Sequence, residues 1–297
     1  MKHYPKALDF IGNTPLVELQ CIDFKENSTR GNHLLMKLEG FNPSGSLKDR
    51  PALKMIEEAE KIGKIAPGTP LIEATSGNMG IALAMIACQK KYPLTLVMPE
   101  SQNTLRQEAM RTFGAEIVLT PTSGGMELSR DIARQLALQK NAFLLDQFAN
   151  PANTLAHYLT TAPEIWNATN GKITHCFACL GSSGTLMGAA KFLKEKNPNI
   201  QIIAIQPQDH GHIPGIRKWA ANYVPKILNT SRIDAFVDVH LSAAEDNRRA
   251  LALKEGIFVG TSAGATLCAM RQIAKTTENA TLIAIAADRG EKYLHFS

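Results

Sequence analysis

Short runs of β-branched and aliphatic residues alternate with segments of helical periodicity along most of the chain. Residues 71–75 read as a strand and 81–90 as a helix. Residues 94–98 read as a strand, and 104–113 as a helix closed by Gly114. A strand at 116–120, a helix at 126–138 and a strand at 142–146 continue the alternation. The second half repeats it, with strands predicted at 173–180, 200–206, 235–241 and 282–287. Ser242 and Glu245 stand at capping-box spacing, which predicts a helix running to Lys254 and stopped by Gly256. Strands separated by helices of this length form βαβ units, with a parallel sheet covered on its faces. One set of units in each half predicts α/β architecture with two open, twisted parallel sheets, the first set ending near Asn150-Pro151.

Composition narrows the picture. A chain of 297 residues, 44% hydrophobic and 20% charged, is long enough for two soluble domains. The net charge of +5 is carried by no block of like charges, and without a basic stripe or zinc spacing nucleic-acid binding is not expected. No apolar run reaches membrane-spanning length, and the N-terminal decapeptide lacks a signal-peptide core, so a cytoplasmic protein with no membrane partner is expected. Five cysteines show no disulfide framework. Cys176 and Cys179, three apart on a predicted strand, point to opposite faces and read as core residues rather than a metal or redox pair. His210 and His212 have no matching ligand set, so no metal is expected.

Ligands of open α/β sheets gather at the loops beyond the strands' carboxyl ends, and four loops carry suitable chemistry. In the first, Gly40 to Arg50, Lys48 opens a helix whose apolar positions are Ala52, Met55, Ile56, Ala59 and Ile62. The positive end of a helix dipole disfavours a cation, which favours a neutral amine able to act as nucleophile or base; a solvated lysine paired with Asp49 is the alternative. In the second, Glu73-Ala74-Thr75-Ser76-Gly77-Asn78-Met79-Gly80, hydroxyls, an amide and backbone N–H groups suit a carboxylate, or simply cap the helix. The third, Gly181-Ser182-Ser183-Gly184-Thr185, suits a phosphate but has neither the Walker A ending nor the dinucleotide glycine pattern. In the fourth, Gly260 to Ala265, Ser262 either bonds a ligand or caps a helix.

Taken in order, these segments resemble the fold-type II pyridoxal-phosphate family, and within it the cysteine synthases of B type. The resemblance runs from Ile11 to Leu294. Its further landmarks are Ile11-Gly12-Asn13-Thr14-Pro15-Leu16, Glu164-Ile165-Trp166, His212 to Arg217, and Asp288-Arg289-Gly290 with Tyr293-Leu294. It implies pyridoxal 5'-phosphate as cofactor, with Lys48 as its Schiff-base lysine and catalytic base. Asn78 is matched to the cofactor's 3′-oxygen, Gly181, Ser182, Ser183, Gly184 and Thr185 to its phosphate, and Ser262 to its ring nitrogen. Thr75, Ser76, Gly77, Met79 and Gln147 are matched to the substrate, with Thr75, Ser76 and Gln147 around its carboxylate. A serine opposite the ring nitrogen leaves a less complete electron sink than a carboxylate would, which suits β-elimination. The implied reaction makes L-cysteine from O-acetyl-L-serine or O-phospho-L-serine with sulfide or thiosulfate, through an aminoacrylate. The resemblance further implies a homodimer. It sets a larger cofactor-phosphate domain of residues 1–41 plus 151–297 against a smaller, mobile substrate-loop domain of 42–150.

Met79 departs from the family pattern, which has a threonine there to help hold the carboxylate. Arg217 is a candidate for an anionic substrate, because a guanidinium grips phosphoryl or thiosulfate oxygens in pairs; a surface pair with Lys218 on a loop is the alternative. Three rival readings follow: a cystathionine β-synthase-like enzyme, a siderophore-precursor enzyme joining phosphoserine to another amino acid, and a non-catalytic regulatory protein that keeps the fold.

Overall fold

The computed structural model describes residues 4–75 and 77–294. In chain order it contains β1 (Leu16–Glu18), α1 (Phe24–Thr29), β2 (His33–Leu38), α2 (Asp49–Lys61), β3 (Leu71–Ala74), α3 (Asn78–Lys90), β4 (Leu94–Pro99), α4 (Thr104–Thr112), β5 (Glu116–Thr120), α5 (Gly125–Gln139) and β6 (Phe143–Leu144). There follow α6 (Pro151–Leu159), α7 (Thr161–Ala168), β7 (His175–Cys179), α8 (Gly184–Lys196), β8 (Gln201–Pro207), β9 (Ala235–Val239), α9 (Leu241–Ala250), α10 (Thr261–Ala274) and β10 (Thr281–Ala286).

The chain divides into two compact units, residues 1–11 with 48–153, and residues 12–47 with 154–297. The breaks at 47/48 and 153/154 lie a few residues from the expected 41/42 and 150/151, whereas the break at 11/12 departs from the expectation that residues 1–41 go together with 151–297. Residues 1–11 go with the first unit because Leu8 and Ile11 pack against its apolar cluster.

The first unit is built on an all-parallel sheet in the order β5-β4-β3-β6. A parallel sheet covered on both faces favours near-continuous apolar runs in its central strands, and β3 and β4 are buried throughout, with Glu73 and Thr95 their polar exceptions. The alternation of side chains sorts them. Leu71, Leu96 and Met98 join Met55 and Ile56 of α2 and Leu83 and Ile86 of α3 on one face. Ile72, Ala74 and Val97 meet Met126, Ala133 and Ala137 of α5 on the other.

The second unit carries a sheet in the order β1-β2-β10-β7-β8-β9, parallel except for the edge strand β1. Cys176 is buried on the face with α8, and Cys179 packs on the face with α10, so the pair is divided between the two sides of the sheet. α9 begins at Leu241 and not at Ser242. The chain leaves β9 in extended conformation at His240, whose ring accepts from the Ser242 N–H and so occupies the cap position. Glu245 turns instead to Arg248 and to the Thr261 hydroxyl. α9 runs into a π-turn over Leu251–Glu255, which Gly256 ends at φ +67°.

Candidate active site

In the first unit, Lys48 is the residue immediately before α2, in helical conformation (φ −73°, ψ −15°) and half-buried. Its carbonyl accepts the Ala52 N–H, and Asp49 and Arg50 behind it are buried. Lys48 thus stands at the positive end of a 13-residue helix.

Beyond β3, Thr75 is held by its own N–H to Val97 O. Its Oγ1 accepts from the N–H groups of Gly77 at 3.3 Å and Gly80 at 3.1 Å, so it closes the turn into α3. The hydroxyl proton remains for a ligand. Asn78 is the first residue of α3, and Ser76 lies outside the described residues. A Cβ on Gly77 would stand 3.0 Å from Arg106 Nη1, and one on Gly80 within 2.8 Å of the Thr75 methyl, so the turn is packed to a density only glycine allows. The Met79 side chain, 2% exposed, lies in the apolar cluster of the unit. Its contribution at this turn is packing, and a ligand would meet its backbone.

Gln147 follows Asp146, which takes the left-handed conformation at φ 48°. Its Nε2 donates to Ala74 O at 3.1 Å and to Glu73 Oε1 at 3.3 Å, and its carbonyl accepts from Asn153. Glu73 is 1% exposed, and its Oε2 is buried with no hydrogen-bond partner. Burial, then the charge of Asp146, push the Glu73 carboxyl up to about 8.

In the second unit, β7 delivers the chain to Gly181–Ser183 and then to α8. Ser183 is left-handed at φ 73°, and its Oγ is buried without a partner. Thr185 Oγ1 is 3.1 Å from His157 Nε2, and His157, fully buried, meets Thr161 Oγ1 at 2.9 Å through its other nitrogen. Two groups tie down the loop's start: Trp219 Nε1 donates to Gly181 O at 2.8 Å, and the Arg217 N–H to Leu180 O at 2.8 Å. A helix N-terminus with left-handed backbone ahead of it and an orphaned buried hydroxyl is a mould for an anion, and the phosphate of pyridoxal phosphate fits it.

Ser262 is the second residue of α10, 5% exposed, with Gly260 ahead of it. A Cβ on Gly260 would collide with Asp288 Oδ1 and with the Tyr293 ring. Ser262 presents a neutral hydroxyl at a helix start, which suits an unprotonated pyridine nitrogen. The Arg217 guanidinium lies 5.5 Å from the centroid of Trp219, and Lys218 pairs with Asp209 at 2.6 Å. Among the described residues no group of His, Cys, Asp and Glu could hold a metal ion.

Sequence reasoning assigned no role to Glu73, Arg106, His157 or Trp219. Glu73 offered a signal, a carboxylate inside an apolar strand. The others are joined to their loops only by the fold.

A family model described as pyridoxal-phosphate dependent enzyme matches residues 7–288. Cysteine synthase B of Pseudomonas aeruginosa is 50% identical over 98% of this chain and 96% of its own length. Among solved structures, an O-ureido-L-serine synthase superposes with a TM-score of 0.92 at 36% identity, covering 99% of this chain and 94% of that one. A cysteine synthase from Entamoeba histolytica gives a TM-score of 0.92 at 35% identity, covering 98% and 89%.

Proposed function

The chain belongs to the pyridoxal-phosphate-dependent enzymes and, within them, to the cysteine synthases, and from that membership we propose that it makes L-cysteine from O-acetyl-L-serine and sulfide by β-replacement, with thiosulfate as nucleophile giving S-sulfo-L-cysteine, the precursor of L-cysteine. The observation that carries the reading is a half-buried lysine at the start of α2 in a chain whose α8 begins in an anion mould with an orphaned serine hydroxyl.

Loop Gly181–Thr185 holds the cofactor phosphate, Asn78 its 3′-oxygen and Ser262 its ring nitrogen. When bound, pyridoxal phosphate supplies a sink for the electrons of the Cα–H bond. The Lys48 amine would take the substrate Cα proton as general base and later return it. The Thr75 hydroxyl donates to the substrate carboxylate, with Ser76, Gly77 and the backbone of Met79 completing that loop and Gln147 beside it. Acetate leaves from Cβ, and the sulfur nucleophile adds there.

The test is spectroscopic. The purified protein should show the visible band of lysine-bound cofactor. O-acetylserine should move it to longer wavelength, and sulfide should restore it with release of cysteine. Lys48→Ala should lower turnover by about a thousandfold or more and abolish the lysine-bound band. A wild-type band that O-acetylserine leaves unchanged would overturn the reading.

A second reading is that an anionic substrate, O-phosphoserine or thiosulfate, is preferred. It is supported by Arg217, which stacks on the same Trp219 that bonds the first residue of the phosphate loop. The proposal includes a homodimer, supported by the family resemblance and tested by a sedimentation mass of twice the 32.3 kDa chain. It also places the protein in the cytoplasm, with all five cysteines as free thiols.

A further inference from the structure

Glu73 is a residue for which the reaction above has no use. It stands on a strand with every position buried; the Gln147 N–H at 3.4 Å and Nε2 at 3.3 Å both reach Oε1, and the Asp146 backbone N–H is a third, weaker donor toward the carboxyl. Oε2 is sealed from solvent and has no hydrogen-bond partner. An ionised carboxylate accepts from several donors when buried. This one has long bonds on one oxygen, none on the other and no cation beside it.

The charges around it say the same. Asp146 is the charged side chain that acts on Glu73, and its sign is the same. Arg130, on α5 across the sheet, acts on Asp146 and lies 4.4 Å over the Phe148 ring. On the same face of the sheet α2 and α3 pack Met55, Ile56, Leu83 and Ile86; α2 also buries Asp49 and Arg50 at its start, and neither is among the charges that act on Glu73. The arrangement suits a neutral acid with Oε1 as the carbonyl oxygen.

The consequence falls on Gln147. Its two Nε2 protons point to Ala74 O and Glu73 Oε1, so in this arrangement the amide has none left for a carboxylate. A neutral Glu73 holds its share by a long, uncharged bond that a substrate carboxylate can outcompete. An ionised Glu73 would grip the same proton through a charge-assisted bond, roughly twice as strong, and would repel the substrate anion. We propose that Glu73 is a positioning residue for the substrate carboxylate, acting through the Gln147 amide, and that it does so only as the neutral acid.

The inference rests on the amino-acid substrate of the proposed function, and its test uses L-serine, which binds without an activated leaving group. The dissociation constant of L-serine is read from the change it makes in the cofactor spectrum of the holoenzyme, from pH 6.5 to 9.5, for wild type, Glu73→Gln and Asp146→Asn. Ionisation of the serine amine and of the cofactor is common to all three, so ratios isolate Glu73. In the limit where only the neutral acid permits binding, the wild-type constant relative to Glu73→Gln rises about thirtyfold between neutral pH and pH 9.5. Asp146→Asn, which keeps a side chain tolerant of the left-handed conformation, moves the onset of that rise to lower pH by removing the like charge. A constant ratio across the range, with thermal melting showing all three proteins folded, would overturn the proposal. So would an onset that Asp146→Asn leaves in place. No spectral change with L-serine or O-acetylserine in the wild type at any pH would refute the substrate reading itself, a different outcome.

Discussion

At the scale of the residue, two arginines stand beside loops proposed to bind anions, and their settings differ. Arg106 lies against Gly77, its Nη1 3.0 Å from where a Cβ would stand. It adds positive charge to a turn where Met79 offers no side-chain donor. Arg217 is half-buried, with its N–H fixed to Leu180 O and its guanidinium stacked near Trp219. A guanidinium held in this way has less conformational entropy to lose on gripping phosphoryl or thiosulfate oxygens. Replacing Arg217 by Ala should therefore cost about tenfold to a hundredfold in kcat/KM for O-phosphoserine or thiosulfate, the worth of a hydrogen bond to a charged group. O-acetylserine with sulfide should be affected much less. Steady-state kinetics with each pair decides it, and equal losses would assign the Arg217 side chain to holding the loop through its contact with the Trp219 ring instead of to choosing the substrate.

At the scale of the element, the strands and helices with strong periodicity were legible because a parallel sheet buried on both faces writes itself as apolar runs. β3, β4, β7, β8 and β10 fall where the pattern puts them. The short edge strand β1 and the helices α6 and α7 carried no comparable signal, since an edge strand is half-exposed and α6 and α7 follow directly on one another. The α9 cap was misread because Ser242 and Glu245 satisfy a spacing, whereas the neighbour able to reach the first turn was a histidine. Lys48 and the Gly181–Thr185 loop could be found in the sequence, since glycine, hydroxyls and a helix-opening lysine are local features. His157 could not, because its tie to Thr185 comes from the crossing of α6 and α8. Such crossings rest on glycines. A Cβ on Gly264 would overlap the Ala244 carbonyl and press on Arg248 N, both backbone atoms of the α9 segment that cannot rotate away. Gly264→Ala should lower stability by about 3 kcal/mol, the upper part of the range for overpacking, even though alanine is the better helix former. Denaturant melting would show it, and a neutral or stabilising result would mean that α9 and α10 separate at little cost.

At the scale of the whole molecule, a buried acid makes stability depend on pH in a direction opposite to that of a carboxylate in a salt bridge. The Glu73 carboxyl ordinarily titrates near 4.5 and in the folded chain near about 8. Between those values the folded protein keeps a proton that the unfolded chain releases, so unfolding is favoured as pH rises. The contribution is complete below 4.5, is lost through the interval and is gone above 8. Its size, about 1.4 kcal/mol per pH unit over that interval, is roughly 5 kcal/mol, a large fraction of the stability of most domains. Glu73→Gln removes the titration while keeping shape and an acceptor for the Gln147 amide. The melting temperature of the wild type should therefore fall relative to the variant as pH goes from 5 to 8, with no further divergence at higher pH. Cofactor binding and the other titrating groups are shared by both proteins and cancel in the difference. Parallel curves from pH 5 to 9 would place an ionised carboxylate inside the sheet, and the pH dependence of serine binding would then need another source.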